Sequence, residues 1–207
     1  DLMISDGQFT LVSGGGSSAQ IDDTLSAKGL KGTTTVNVDG GSFNINSADD
    51  AIHSNTSITI NAGYFTINAG DDGVHADGTL VINNGSIDIV ESYEGLESAS
   101  ITINDGEINV TASDDGINAA DGVDGSGMAG GMDSFTSGSY ELNINGGRIT
   151  VNAYGDGLDV NGGITMTGGV VIVSGPTNNG NGAMDYDSGF AISGGTLVAV
   201  GSSGMAM

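Results

Sequence analysis

The chain has 207 residues, with 26 acidic side chains against 3 basic ones and a formal charge of −23. Nucleic acid and anionic membrane both call for patches of Lys and Arg, so this balance argues against either as a partner. Cysteine is absent, which rules out a disulfide framework, and no apolar run approaches the ~20 residues needed to span a bilayer.

In chain order, the first recognisable unit is Ile4-Ser5-Asp6-Gly7-Gln8-Phe9-Thr10-Leu11, two short alternating runs joined at a glycine. Residues 12 to 34 hold extra length around Ser13-Gly14-Gly15-Gly16-Ser17-Ser18. The unit then returns in fuller form as Val36-Asn37-Val38-Asp39-Gly40-Gly41-Ser42-Phe43-Asn44-Ile45 and Ile58-Thr59-Ile60-Asn61-Ala62-Gly63-Tyr64-Phe65-Thr66-Ile67. Further copies start at Leu80, Ile101, Leu142, Ile164 and Phe190. Apolar and polar residues alternate at period two on both sides of each glycine, which is the pattern of strands and not of helices.

An acidic hexamer follows most copies. It reads Asp49-Asp50-Ala51-Ile52-His53-Ser54, then Asp71-Asp72-Gly73-Val74-His75-Ala76, Tyr93-Glu94-Gly95-Leu96-Glu97-Ser98, Asp114-Asp115-Gly116-Ile117-Asn118-Ala119 and Gly155-Asp156-Gly157-Leu158-Asp159-Val160. Carboxylates 50, 72, 94, 115 and 156 are spaced by 22, 22, 21 and 41 residues, the last gap being one period plus an insertion. With a third strand in each hexamer, a period near 22 describes one coil of a parallel β-helix. The expected architecture is all-β: about eight coils stacked ~4.8 Å apart over residues 1–207, as a single domain with a loop inserted at 121–139. The final strand carries no polar cap, so a terminal segment or an end-to-end partner chain is expected to cover it.

Stacking turns equivalent residues into columns. The column from Phe43 through Phe65, Ile87, Ile108, Ile149 and Val171 to Leu197, and that from Val38 to Ile192, are read as core. Asn61, Asn83, Asn104 and Asn145 are read as an amide ladder, with Gly41, Gly63 and Gly85 at the adjoining corner.

The carboxylate column needs a different account. Like charges ~5 Å apart repel by roughly 3 kcal/mol at an effective dielectric of 20. Divalent cations between coils would remove that repulsion. The expected ligands are Asp49, Asp50, Asp71, Asp72, Glu94, Glu97, Asp114, Asp115, Asp156 and Asp159. An all-oxygen set of this kind suits several Ca2+ ions; zinc favours nitrogen and sulfur, and a zinc pair at His53 and His75 is the alternative. A solvated acidic face without metal is the other reading.

The repeated Asp-Asp-Gly-(Ile/Val)-(His/Asn)-Ala and Ile-Thr-Ile-Asn-x-Gly units resemble right-handed parallel β-helices of the pectate-lyase kind. More narrowly, the chain resembles the calcium-containing, polysaccharide-lyase-like carbohydrate-binding proteins of cellulolytic clostridia. That resemblance implies a secreted or cell-surface protein that binds plant cell-wall polysaccharide, cellulose or an acidic polygalacturonate, without acting as an enzyme. Metal would bridge the acidic protein to an acidic sugar, a loop carrying Asp121, Asp124 and Asp133 would close over it, and Tyr93 and Tyr154 would stack on sugar rings, with Tyr64, Tyr140 and Tyr186 as further candidates. A calcium-dependent lyase and an inert stalk or adhesin are the competing readings. The lyase needs a base among Lys28, Lys31 and Arg148, of which Lys28 falls directly above Asp50.

Overall fold

The structure, a computed structural model, describes residues 1–22, 25–120 and 140–203. The segment expected as an inserted loop, with Asp121, Asp124 and Asp133, lies outside the described residues, as does the terminal Met207.

No helix occurs among the described residues, and every strand pairs in parallel with its equivalent in the next coil. One face is an eight-stranded sheet running from Gln8–Ser13 through Ser42–Ser47, Tyr64–Ala69 and Ser86–Glu91 to Thr196–Val200. The other two faces merge into a 13-stranded sheet. The second coil shows the plan: Thr35–Val38, then Ser42–Ser47, then Ile52–Ser54. The third face holds the strands Leu30–Gly32, Ile52–Ser54, Ile117–Ala119, Leu158–Val160 and Met184–Tyr186, together with the starts of Val74–Ile82 and Leu96–Ile103. Among the described residues seven coils therefore close, and Gly189–Ile192 with Thr196–Val200 begin an eighth. Val74–Ile82 and Leu96–Ile103 also run unbroken from the acidic corner into the following face, where a corner was expected.

The period-two alternation survives as alternating burial. Ile58 and Ile60 are fully buried while Ser57 and Thr59 are not. Phe9, Phe43 and Phe65 stack face to face at 4.8 and 4.6 Å, which matches the ~4.8 Å separation of paired strands. Val38, Ile60, Ile82, Ile103, Ile144 and Met166 line the interior at zero exposure, as their column predicts. The column does not stay buried to its end, because Ile192 in the last coil is half exposed.

The asparagine ladder is present and longer than expected. Asn83 Nδ2 donates to Asn61 Oδ1 at 2.7 Å, Asn104 to Asn83 at 2.8 Å and Asn145 to Asn104 at 2.9 Å. Asp39 closes it at one end by accepting from Asn61, and the Thr167 hydroxyl closes the other by donating to Asn145. Beside the ladder, Gly85 adopts a φ of +127°, and a Cβ there would lie 3.0 Å from the carbonyl oxygen of Gly63 in the coil before.

Candidate metal and glycan site on the acidic corner

Each acidic hexamer enters the third face from the end of the eight-stranded sheet, so its leading carboxylates line one corner of every coil. The strand register sets His53 against His75, His75 against Glu97, Glu97 against Asn118, Asn118 against Asp159 and Asp159 against Asp185, which forms a second column beside the leading carboxylates. The glycine in the hexamer lets these coils approach. At Gly73 a Cβ would lie 2.6 Å from the carbonyl oxygen of Gly95 and 2.7 Å from Ile89 Cδ1.

The carboxylates are held by backbone. The N–H of Asp72 donates to Asp50 Oδ1 at 3.3 Å, that of Glu94 to Asp72 Oδ1 at 3.1 Å and that of Asp156 to Asp115 Oδ1 at 2.6 Å, while the N–H of Gly182 donates to Asp156. Each acid therefore ties its own coil to the next one. Repulsion estimated from charge alone overlooked these donors, which stabilise the ionised form.

At the upper end the charge is compensated internally. Lys28 Nζ lies 2.8 Å from Asp49 Oδ1 and 2.6 Å from Asp50 Oδ2, with the lysine side chain only 4% exposed. The position of Lys28 above Asp50 follows the expected register, and Asp49 Oδ2 also accepts the N–H of Ala27. His53 Nδ1 sits 2.7 Å from Asp50 Oδ2. Burial would raise the Asp50 carboxyl, but the His53 hydrogen bond and the Lys28 charge outweigh it and hold the group below the ordinary aspartate range.

Lower down the balance reverses. Burial, opposed by the His75 hydrogen bond and reinforced by the Asp50 charge, raises Asp72. Burial and the Asp72 charge push Glu94 well above the usual carboxylate range, and burial with the charges of Asp72 and Glu94 pushes Glu97 up to about 12. Asp115 rises to about 8 through burial and the charges of Asp159 and Asp114, and Asp156 rises mainly through burial. Asn118 fits the same picture: its Nδ2 donates to Glu94 Oε2 at 2.8 Å, while its buried Oδ1 has no hydrogen-bond partner. Converging carboxylates beside an orphaned amide oxygen form a donor set that suits a hard divalent cation.

Among the described residues, three groups bring potential ligand atoms within 4.8 Å of one another: Asp49, Asp50 and Asp71; Asp50, His53 and His75; and Asp72, His75 and Glu97. The first is the all-oxygen arrangement expected. The other two draw in both histidines, expected only as an alternative zinc pair, together with the carboxylates of the neighbouring column. Asp114, Asp115, Asp156 and Asp159 line the corner further down, and Asp185 at the end of the column is exposed.

The two tyrosines chosen as sugar platforms fall on this same corner. The N–H of Asp114 donates to the Tyr93 carbonyl and that of Tyr154 to the Ala112 carbonyl, which puts Tyr154 two coils beyond Tyr93, ~10 Å along the axis. Tyr154 is 69% exposed and Tyr93 is 42% exposed. The Tyr93 hydroxyl bonds to Asp114, and that bond together with burial raises its pKa. Tyr64, also prominent, stands instead over a shallow groove at the glycine corner, with Asn84, Asp105 and Glu107.

Residues 1–73 match the model of a family described as carbohydrate-binding domain-containing protein. The matched stretch contains Lys28, Asp49, Asp50, His53, Asp71 and Asp72. No curated protein and no solved structure matches the chain. The match spans the first 73 of the 207 residues, and it supports carbohydrate binding.

Proposed function

We propose that the protein is a calcium-dependent carbohydrate-binding module that acts outside the cell or on its surface and grips an acidic plant cell-wall polysaccharide of the polygalacturonate kind along its acidic corner. The observation that carries this reading is the carboxylate ladder from Asp50 to Asp156, flanked on the same corner by exposed Tyr93 and Tyr154. An anionic glycan approaches so acidic a surface only through bound cations. Calcium suits the oxygen-rich lower corner because it accepts many carboxylate and carbonyl ligands in flexible geometry, and millimolar extracellular calcium fills even weak sites. The tyrosine rings offer apolar faces to the sugar and leave their hydroxyls for hydrogen bonds.

For the proton abstraction that a lyase would need, none of the three basic side chains is suited as the base. Lys28 is committed to Asp49 and Asp50, Lys31 is exposed with its Nζ 3.2 Å from Ser26 Oγ, and Arg148 is exposed on the eight-stranded sheet beside Glu107. Neighbouring carboxylates favour the protonated form of Lys28, the opposite of what a general base requires.

Affinity electrophoresis tests the reading. In gels containing polygalacturonate the protein is expected to be retarded with calcium and to run freely with EDTA, and Tyr154→Ala should weaken the retardation. Retardation that persists unchanged in EDTA would overturn the metal bridge, and free migration under both conditions on polygalacturonate and cellulose would favour a stalk.

A further inference from the structure

We infer that Asp72, His75 and Glu97 form a discrete site for a borderline divalent metal ion of the zinc or cobalt type, separate from the oxygen sites that calcium would fill. The geometry around one nitrogen points to it. His75 is fully buried, and three carboxylate oxygens from three different coils converge on its Nδ1: Glu97 Oε2 at 3.1 Å, Asp72 Oδ2 at 3.2 Å and Asp50 Oδ2 at 3.7 Å. Nδ1 is within hydrogen-bond distance of Asp72, and one N–H satisfies one acceptor, so a single ring proton cannot serve all three oxygens. A metal ion can.

The other ring nitrogen supports the same assignment. His75 Nε2 faces Asp77 Oδ1 at 3.5 Å, and that buried oxygen makes no hydrogen bond. A proton on Nε2 directed at Asp77 leaves the Nδ1 lone pair for the metal, which is the carboxylate–histidine–metal arrangement that fixes the tautomer and orientation of a ligating imidazole.

Distances and charge choose among the clusters. Ligands ~2.0–2.1 Å from a tetrahedral metal lie about 3.3–3.4 Å apart, close to the 3.2 and 3.1 Å separating His75 Nδ1 from its Asp72 and Glu97 partners. Asp50 Oδ2 is the least suited of the three oxygens, because Lys28 and His53 already hold it at 2.6 and 2.7 Å. Three protein ligands, one of them nitrogen, with a fourth position left to water or Asp50 suit zinc or cobalt, whereas calcium takes six to eight oxygens.

The test titrates the full chain with cobalt, then with zinc, in excess calcium that keeps the oxygen sites filled. The expected result is one equivalent of cobalt giving a visible d–d spectrum that zinc abolishes and that is missing in Glu97→Gln. Because substitution in the core can impair folding, imidazole 15N spectra of the wild type provide an independent readout: zinc should move the His75 Nδ1 resonance and calcium should not. Cobalt that gives no spectrum beyond that of the hydrated ion, or zinc that leaves both imidazoles unmoved, would overturn the assignment whether or not calcium supports glycan binding.

Discussion

Lys28 Nζ lies 2.6 Å from Asp50 Oδ2, a carboxylate with no exposed surface. Lys28 is thus a built-in cation at the head of the column, set directly above the first of the acids that repeat below it. Its removal should expose how costly the uncompensated column is. Lys28→Met strands two buried carboxylates and is expected to destabilise the protein by about 3–5 kcal/mol near neutral pH. Chemical denaturation checks this, and the deficit should shrink at pH 4, where Asp50 can take up a proton.

Acidity should act on the metal-free protein in an unusual direction. Asp115 is raised to about 8 and Glu97 to about 12, so between the ordinary carboxylate range and those values the folded chain holds protons that the unfolded chain has released. Stability from these groups is complete below the unfolded values and is lost as pH climbs through the folded ones. Asp50, which is lowered, contributes constantly above its unfolded value and is lost only in acid below that range. In EDTA the melting temperature is therefore expected to fall from pH 5.5 to pH 8.5. A calcium-loaded sample should show a shallower slope, since the cation replaces the proton on Asp115 but not that on Glu97. Scanning calorimetry across that window measures both.

The asparagine ladder should be a structural element independent of metal. Asn83 both donates to Asn61 and accepts from Asn104, so Asn83→Ala removes two hydrogen bonds at a partly exposed corner. An expected loss of about 1–2 kcal/mol, equal with and without calcium, is measurable by urea denaturation. Gly85→Ala at the neighbouring corner should cost about 1–3 kcal/mol, because φ there is +127°.

Much of this was legible before any coordinates. Period-two alternation and a 22-residue spacing are backbone-level signals, so the β-helix, its core columns and the alignment of Lys28 over Asp50 could be read from residue order alone. Two things could not. The backbone donors that hold Asp50, Asp72 and Asp115 depend on how one coil's corner N–H groups aim at the carboxylate below, which composition does not encode. His53 and His75 stood only as an alternative zinc pair, apart from the acids, yet at one coil's separation their rings lie 4.9 Å apart among three carboxylates, so placement outweighs number. The Gly73 and Gly95 positions within the hexamer were the available hint, since glycine beside an acid marks a corner packed closely against its neighbour.

The central claim is that cations lie among the stacked carboxylates, and a crystal grown in calcium and measured at a wavelength where calcium scatters anomalously tests it most directly. Anomalous peaks are expected on the acidic corner, coordinated by oxygens of Glu94, Asp115, Asn118 or Asp159. A well-ordered corner with no anomalous peak, its carboxyls paired to one another through protons or turned to solvent, would contradict the account.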